Sequence, residues 1–273
     1  MTELVEHADA IIATSDDEFE KFEACEPYFR QMIEQRLYLA KLHSILEENL
    51  AGRKEVTPDM SAGNFLVLHG SRHSSWAVLK HVGRTRQLYL TPSHSISAMV
   101  GGGPLRLDRY AVPADVELSE LDTTKELKLL ESGVMRIGEI VSKNGRAHSL
   151  DIYPSEATCA YTVRVNTIPY ASFEWAFSRQ TLRPIKMSSL RAADSNLTTI
   201  FDLLSAVGSP QSVEWLAPYA EHKLHFIRWH AVNAVGTIDS KIGLELAERA
   251  VADPHPHVRA AARSTLDAVA ARQ

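Results

Sequence analysis

Between about Gly63 and Lys186 the chain breaks into nine short runs that alternate with period two and are separated by Gly, Pro, Asn and Asp. This is the grammar of strands and tight turns, because successive residues of a strand face opposite sides of a sheet. The runs are Phe65–His69, Trp76–Val82, Gln87–Leu90, Ser95–Val100, Leu105–Val112, Val134–Ser142, His148–Tyr153, Thr158–Val165 and Ser172–Phe177. Most linkers are too short for the crossover helices of a parallel sheet, which predicts an antiparallel β-barrel or sandwich. Leu118–Leu130 is the exception and is long enough to hold a helix.

Helical periodicity flanks this region on both sides. From Asp16 to Asn49, apolar residues from Phe19 to Leu46 recur at spacings near three and four, predicting two helices. Ser15-Asp16-Asp17-Glu18 is suited to cap the first, and Ala51-Gly52-Arg53 to end the second. After about Asp194 the helical pattern returns with an internal echo. His225-Phe-Ile-Arg-Trp-His is answered by Pro256-His-Val-Arg-Ala-Ala, with Arg228 and Arg259 separated by 31 positions. The turn Asp253-Pro254-His255-Pro256-His257-Val258-Arg259 resembles the inter-helix turn of HEAT-like repeats. That resemblance implies stacked helix pairs, here too few for a free solenoid, which are expected to dock on the barrel or the N-terminal helices, or else to offer a surface to a protein partner.

Charge narrows the function classes. With 29 Lys+Arg against 34 Asp+Glu, the net charge of −5 and the lack of a long basic run argue against nucleic acid or an anionic membrane surface as partner. No apolar stretch approaches the ~18 residues of a spanning helix, and the acidic start Met1-Thr-Glu-Leu-Val-Glu6 is unlike a secretory leader. Cys25 and Cys159 are far apart and form no disulfide framework or thiolate zinc motif. The expectation is a soluble, cytoplasmic protein.

The chain holds 12 His, and strand parity selects among them. Lys80 should face water, sending Ala77, Leu79 and His81 inward; His94 shares the parity of Leu88 and Leu90; His148 shares that of Leu150 and Ile152. Three imidazoles facing one interior would suit a metal with open positions for substrate. Glu139, on the parity of Ile137 and Val141, is a further candidate ligand, although a solvated carboxylate beside a turn is its commoner role. Tyr161 shares parity with Val163 and Val165, where its hydroxyl could orient a substrate; Arg109, on the Leu105/Leu107 face, suits a carboxylate by bidentate pairing or forms an ion pair at the barrel end. Gly101-Gly102-Gly103 reads as a hairpin turn. His222, His225, His230, His255 and His257 fall near helix junctions, where structural or surface roles are expected.

Ser93-His94-Ser-Ile-Ser-Ala-Met-Val-Gly101-Gly-Gly leading into Leu105–Tyr110 resembles the first motif of the cupin superfamily, in particular its cysteine-dioxygenase-like branch. Arg136-Ile-Gly138-Glu139-Ile-Val and Gly145-Arg-Ala-His148 are similar to the second, and Thr158–Val165 fits the strand that follows. The chain departs from the first motif where Pro92 stands in place of a second histidine and the usual downstream glutamate is absent. The resemblance implies an α+β protein: an N-terminal helical segment (1–55), a cupin-like antiparallel β-barrel (56–187) and HEAT-like helical repeats (188–273). It implies a divalent metal, Fe(II) by preference, held by His94 and His148 with His81 or Glu139 as third ligand. The implied activity is oxygen-dependent oxidation of a small amino-acid-like or thiol-like substrate, with Tyr161 and Arg109 assisting, in a chain that could dimerise. The alternative is a non-catalytic ligand-binding or interaction scaffold with a degenerate barrel.

Overall fold

The structure, a computed structural model, describes residues 2–15, 18–51, 64–156 and 158–271. It divides into two compact units, Met1–Leu190 and Arg191–Gln273. The expected cap residues Asp16 and Asp17, the helix end at Gly52-Arg53 and the 55/56 boundary lie outside the described residues.

The first unit opens with four helices, α1 (Thr2–Ala13), α2 (Phe19–Glu23), α3 (Glu26–Glu34) and α4 (Leu37–Leu50). The stretch expected to form two helices is thus three, interrupted at Ala24-Cys25 and at Arg36, whose φ of 52° breaks the helical path. Among the described residues eleven strands follow: β1 (Phe65–Gly70), β2 (Ser74–His81), β3 (Gln87–Leu90), β4 (Ser95–Gly102), β5 (Leu105–Ala111), β6 (Lys128–Met135), β7 (Ile140–Lys143), β8 (His148–Pro154), β9 (Ala160–Thr167), β10 (Phe173–Ser178) and β11 (Pro184–Ser189). The run expected at Val134–Ser142 is cut in two by a turn at Gly138, which has a φ of +89°. Leu118–Leu130 holds turns and the start of β6 instead of a helix, and β11 was not anticipated.

All strand pairings are antiparallel. The strands form a five-stranded sheet, β1-β2-β9-β4-β7, and two three-stranded sheets, β11-β10-β3 and β6-β5-β8. This corrects the expectation of a single closed barrel. The reason is visible at Gly102, where the glycine triplet carries the chain from the five-stranded sheet into β5 of another sheet, so it turns a corner and closes no hairpin.

The five-stranded sheet has two different faces. Trp76, Ile96, Ala98, Val163 and Val165 pack against Val5, Ala8, Phe22, Phe29 and Met32 of the helices, forming the largest apolar core of the unit. The opposite face meets the β6-β5-β8 sheet through Met99, Leu105, Met135 and Val141, with Leu107, Leu150 and Ile152 against them. A third cluster joins Leu88, Leu90, Trp175 and Phe177 to Tyr110, Leu118 and Leu127.

The second unit is helical: α5 (Ala192–Val207), α6 (Ser212–Leu216), a 3-10 turn (Ala217–Glu221), α7 (His225–Ile238), α8 (Ser240–Ala250) and α9 (Pro256–Ala270). Its core gathers Phe201, Leu216, Ile227, Val235 and Leu246. The 31-residue echo has a geometric counterpart. Arg228 Nη1 donates to the carbonyls of His222 (2.9 Å) and Lys223 (3.3 Å), and Arg259 Nη1 donates to those of Asp253 and Pro254, both at 2.8 Å. Each arginine therefore closes the turn before its own helix at the same relative positions. Among the described residues no helix is long and apolar enough to cross a membrane.

Candidate functional site

A cavity of about 550 Å³ lies on the face of the five-stranded sheet turned away from the helices. That volume is in the range of small-molecule sites. Its floor follows from strand register. One row across the sheet is Lys143 (β7), Ser95 (β4), Asn166 (β9) and Ser75 (β2); the next is Val141, Ser97, Arg164 and Ala77. Since alternate residues of each strand point away, Ile96, Val165 and Trp76 enter the helix-packed core while their neighbours stay on the cavity side. Leu150 and Ile152 of β8 line the cavity from the other side.

The cavity is cationic. Lys143 is buried; its Nζ donates to the Thr91 carbonyl at 3.0 Å. Burial, aided by the Arg164 charge and opposed by Glu174, pulls its amine down to about 7. Arg164 Nε donates to Ser97 Oγ at 2.8 Å, and burial alone lowers its guanidinium to about 10. Among the described residues no carboxylate pairs with Arg164. The nearby acids are engaged elsewhere: Asp151 accepts from Arg84 Nε at 2.9 Å and from Arg179 Nη2 at 2.9 Å, while Asp108 accepts from Arg84 Nη2 at 2.6 Å and Tyr153 at 3.1 Å. Glu174 is bonded to Thr91 Oγ1 at 3.0 Å and burial raises its carboxyl pKa.

Of the histidines singled out by parity, His81 reaches the cavity. Its Nε2 lies 3.0 Å from Thr162 Oγ1, and burial, reinforced by the Arg164 charge, lowers its pKa to about 4, so the ring is neutral at pH 7. His94 lies on the opposite face. It is fully buried among Phe19, Phe22 and Tyr170, with ring centroids 5.5–6.0 Å away, and its Nδ1 accepts from the Gly145 amide at 3.0 Å. The Leu88/Leu90 alternation does not carry through Thr91-Pro92-Ser93, where no strand continues, so the inward position expected for His94 is corrected: its parity is that of Ile96 and Ala98 in β4.

His148 stands at the head of β8 opposite Ala111, away from the cavity lining. Burial and the Arg109 charge lower its pKa, and its Nδ1 is buried without a hydrogen-bond partner among the described residues. Arg109 pairs with Glu131 at 2.6 Å and donates to the Ser142 carbonyl at 3.1 Å, so it forms the ion pair and does not face the cavity as a free cation. Glu139 is exposed in the β6–β7 turn, where it accepts from the Arg136 amide at 2.8 Å. Tyr161 does share the face of Val163 and Val165, but that face is the helix side of the sheet, and the ring is 38% exposed.

The proposed ligand set His81, His94, His148 and Glu139 is therefore distributed over different faces and turns. The residues of the cavity do not fit a mononuclear iron centre: among the described residues it offers one imidazole, and the buried Lys143 and half-buried Arg164 oppose a divalent ion. Lys143 and Arg164 are not among the residues the sequence pattern singles out: Arg164 interrupts β9 and Lys143 ends β7 on the inward parity, and a charge in a strand ordinarily marks its solvent side.

No family model matches the sequence, and no curated protein matches it. Solved structures similar to part of the chain include a hydroquinone 1,2-dioxygenase in complex with Cd2+ and 4-hydroxybenzonitrile, at 9% identity and TM-score 0.30 over 38% of this chain and 63% of that one. Another is the hydroquinone 1,2-dioxygenase of Sphingomonas sp. TTNP3 with 4-hydroxybenzoate bound, at 10% identity and TM-score 0.32 over 42% of this chain and 71% of that one. A cupin domain of Bordetella pertussis is 12% identical, with TM-score 0.26 over 38% of this chain and 91% of its own. Each of the three covers less than half of this chain.

Proposed function

We propose that the first unit is a cupin-like small-molecule-binding domain that takes a small organic anion, a carboxylate in particular, into the cavity between its sheets. The observation that carries this reading is Arg164: a guanidinium on the cavity floor, held by Ser97, with no carboxylate partner among the described residues, and a buried Lys143 on the adjacent row. A guanidinium drawn out of water without a carboxylate partner is costly, and a bound anion offsets that cost, while the neighbouring Lys143 already has Glu174 acting on its charge. Ser75, Ser95 and Asn166 supply neutral hydrogen-bonding groups around the same space.

In this reading Arg164 fixes the ligand's charge and orientation, and Lys143, with an amine near 7, can hold or release a proton at neutral pH. His81 contributes a neutral ring nitrogen, and Leu79, Leu150 and Ile152 exclude water from one side. The oxygenase expectation, with iron and a thiol-like or amino-acid-like substrate, retains His81 as its one cavity ligand and is the weaker reading.

Titration calorimetry of the full chain with oxalate, pyruvate and inorganic phosphate tests the proposal. Binding of at least one carboxylate probe is expected, weakened at least about tenfold by Arg164→Met, equivalent to ~1.4 kcal/mol. If none of the three binds, or if Arg164→Met binds them as the parent does, the reading fails.

A further inference from the structure

The two turns closed alike by Arg228 and Arg259 also bring together three histidines. His225 is the first residue of α7, His255 precedes α9 as its N-cap, and His257 lies in the first turn of α9. The rings of His225 and His255 stack, with centroids 3.6 Å apart and planes within 5°. His257 stands across them, 5.1 Å from His255 and 6.5 Å from His225. One ligand nitrogen from each ring lies within 4.8 Å of the other two. His222 and His230 are not part of this group: His222 Nδ1 accepts from the Leu224 amide at 3.2 Å, and His230 Nε2 lies 2.8 Å from Asp202.

We propose that His225, His255 and His257 form a binding site for a late first-row divalent cation: Zn2+, Ni2+ or Cu2+. Neutral imidazole is a borderline ligand that favours these ions, and three imidazoles leave at least one position for water. The absence of oxygen donors from the set disfavours Mg2+ and Ca2+. A tetrahedral zinc centre with Zn–N bonds of 2.0–2.1 Å needs nitrogens ~3.3 Å apart. The cluster therefore has to contract: the exposed His257 side chain rotates inward, and the stacked His225 and His255 rings tilt out of parallel so that their in-plane lone pairs converge on the ion. His255 Nδ1 accepts from the His257 amide at 3.3 Å as the helix cap, which assigns its Nε2 to the ion.

The surrounding charges define how strong the site is. Arg228 and the N-termini of α7 and α9 act against a cation, whereas Asp253 acts in its favour. The balance predicts a moderate affinity carried by the imidazole bonds, selective for metals that prefer nitrogen. The site is independent of the anion cavity and stands or falls without it.

Untagged full chain, stripped with a chelator, is titrated with Zn2+ against a chromophoric competitor and with Cu2+ under electron paramagnetic resonance. One equivalent is expected, with imidazole-nitrogen hyperfine structure in the copper spectrum. His257→Ala, on an exposed residue, and His255→Asn, which keeps a capping side chain, should each weaken that equivalent at least about tenfold while leaving the circular dichroism unchanged. His81→Ala should leave it intact. An equivalent that survives both helical variants, one that disappears with His81→Ala, or no stoichiometric binding by the parent would each overturn the site.

Discussion

Arg164 on β9 and Ser97 on β4 stand directly opposite each other in the sheet register, and the guanidinium Nε donates to the serine Oγ at 2.8 Å. A neutral hydroxyl is thus the partner that turns a half-buried cation toward the cavity without neutralising it. Arg164→Met removes the charge and retains most of the packing volume. Its expected effect is loss of carboxylate binding with stability unchanged or raised by ~1–3 kcal/mol, read from urea unfolding of parent and variant in the absence of ligand. A variant destabilised by several kcal/mol would show that Arg164 is structural.

Lys143 makes stability depend on pH in a defined window. Its native pKa is lowered to about 7 from 10.5, so between those values the unfolded chain keeps a proton that the native one has lost. Unfolding free energy therefore rises with pH from about 7 toward 10.5, and the full penalty of the buried charge is present below 7. The rise attributable to this group is on the order of 5 kcal/mol. Comparing Lys143→Met with the parent across that range isolates it; parallel profiles would place the amine in contact with solvent.

His81 has the same sign at lower pH. Its native pKa of about 4 against 6.5 means that stability falls as pH drops from 6.5 toward 4, where the unfolded state takes up the proton first. His81→Gln should flatten the decline by about 1–3 kcal/mol, measured by denaturant unfolding at pH 7 and pH 4.5. An unchanged decline would assign acid sensitivity to other groups.

Gly102 has no room for a side chain. Its φ is +89°, and an added Cβ would sit 2.2 Å from the Cys159 carbonyl oxygen, a backbone atom that cannot step aside without moving β9. Gly102→Ala is expected to cost more than about 3 kcal/mol and to lower the urea midpoint markedly.

In the helical unit, Arg228 donates to both carboxylate oxygens of Asp253, at 2.7 and 2.5 Å, with side-chain exposures of 11% and 7%. Asp253→Ala leaves that guanidinium buried and unpaired, and the expected cost is ~3 kcal/mol. Arg228→Lys keeps the charge but loses the two-pronged geometry and should cost less, about 1–2 kcal/mol. Thermal unfolding of the two variants orders them; equal losses would mean that charge alone carries the contact.

Much of the architecture could be read from local pattern. Period-two alternation placed the strands from Phe65 to Phe177, most within two or three residues of their observed ends, and the spacing of Arg228 and Arg259 exposed the repeat before their shared turn geometry was visible. Local pattern failed where the deciding interaction was distant. Leu118 and Leu127 are apolar because they cover Trp175 and Phe177, which is why a helix-like spacing there forms no helix.

The candidate site shows the same division. Alternation alone establishes that His81 and Leu79 share one face of β2, and that Tyr161, Val163 and Val165 share one face of β9. Which face becomes the cavity depends on where the N-terminal helices pack, and Phe19 and Phe22 placed against His94 settle that against the histidine. Period-two patterning carries the relative orientation of side chains because it is a property of one strand. The identity of the surface that receives them belongs to another segment of the chain, and so does the pairing of His225 with His255 and His257, which arises only when two turns of the repeat meet in space.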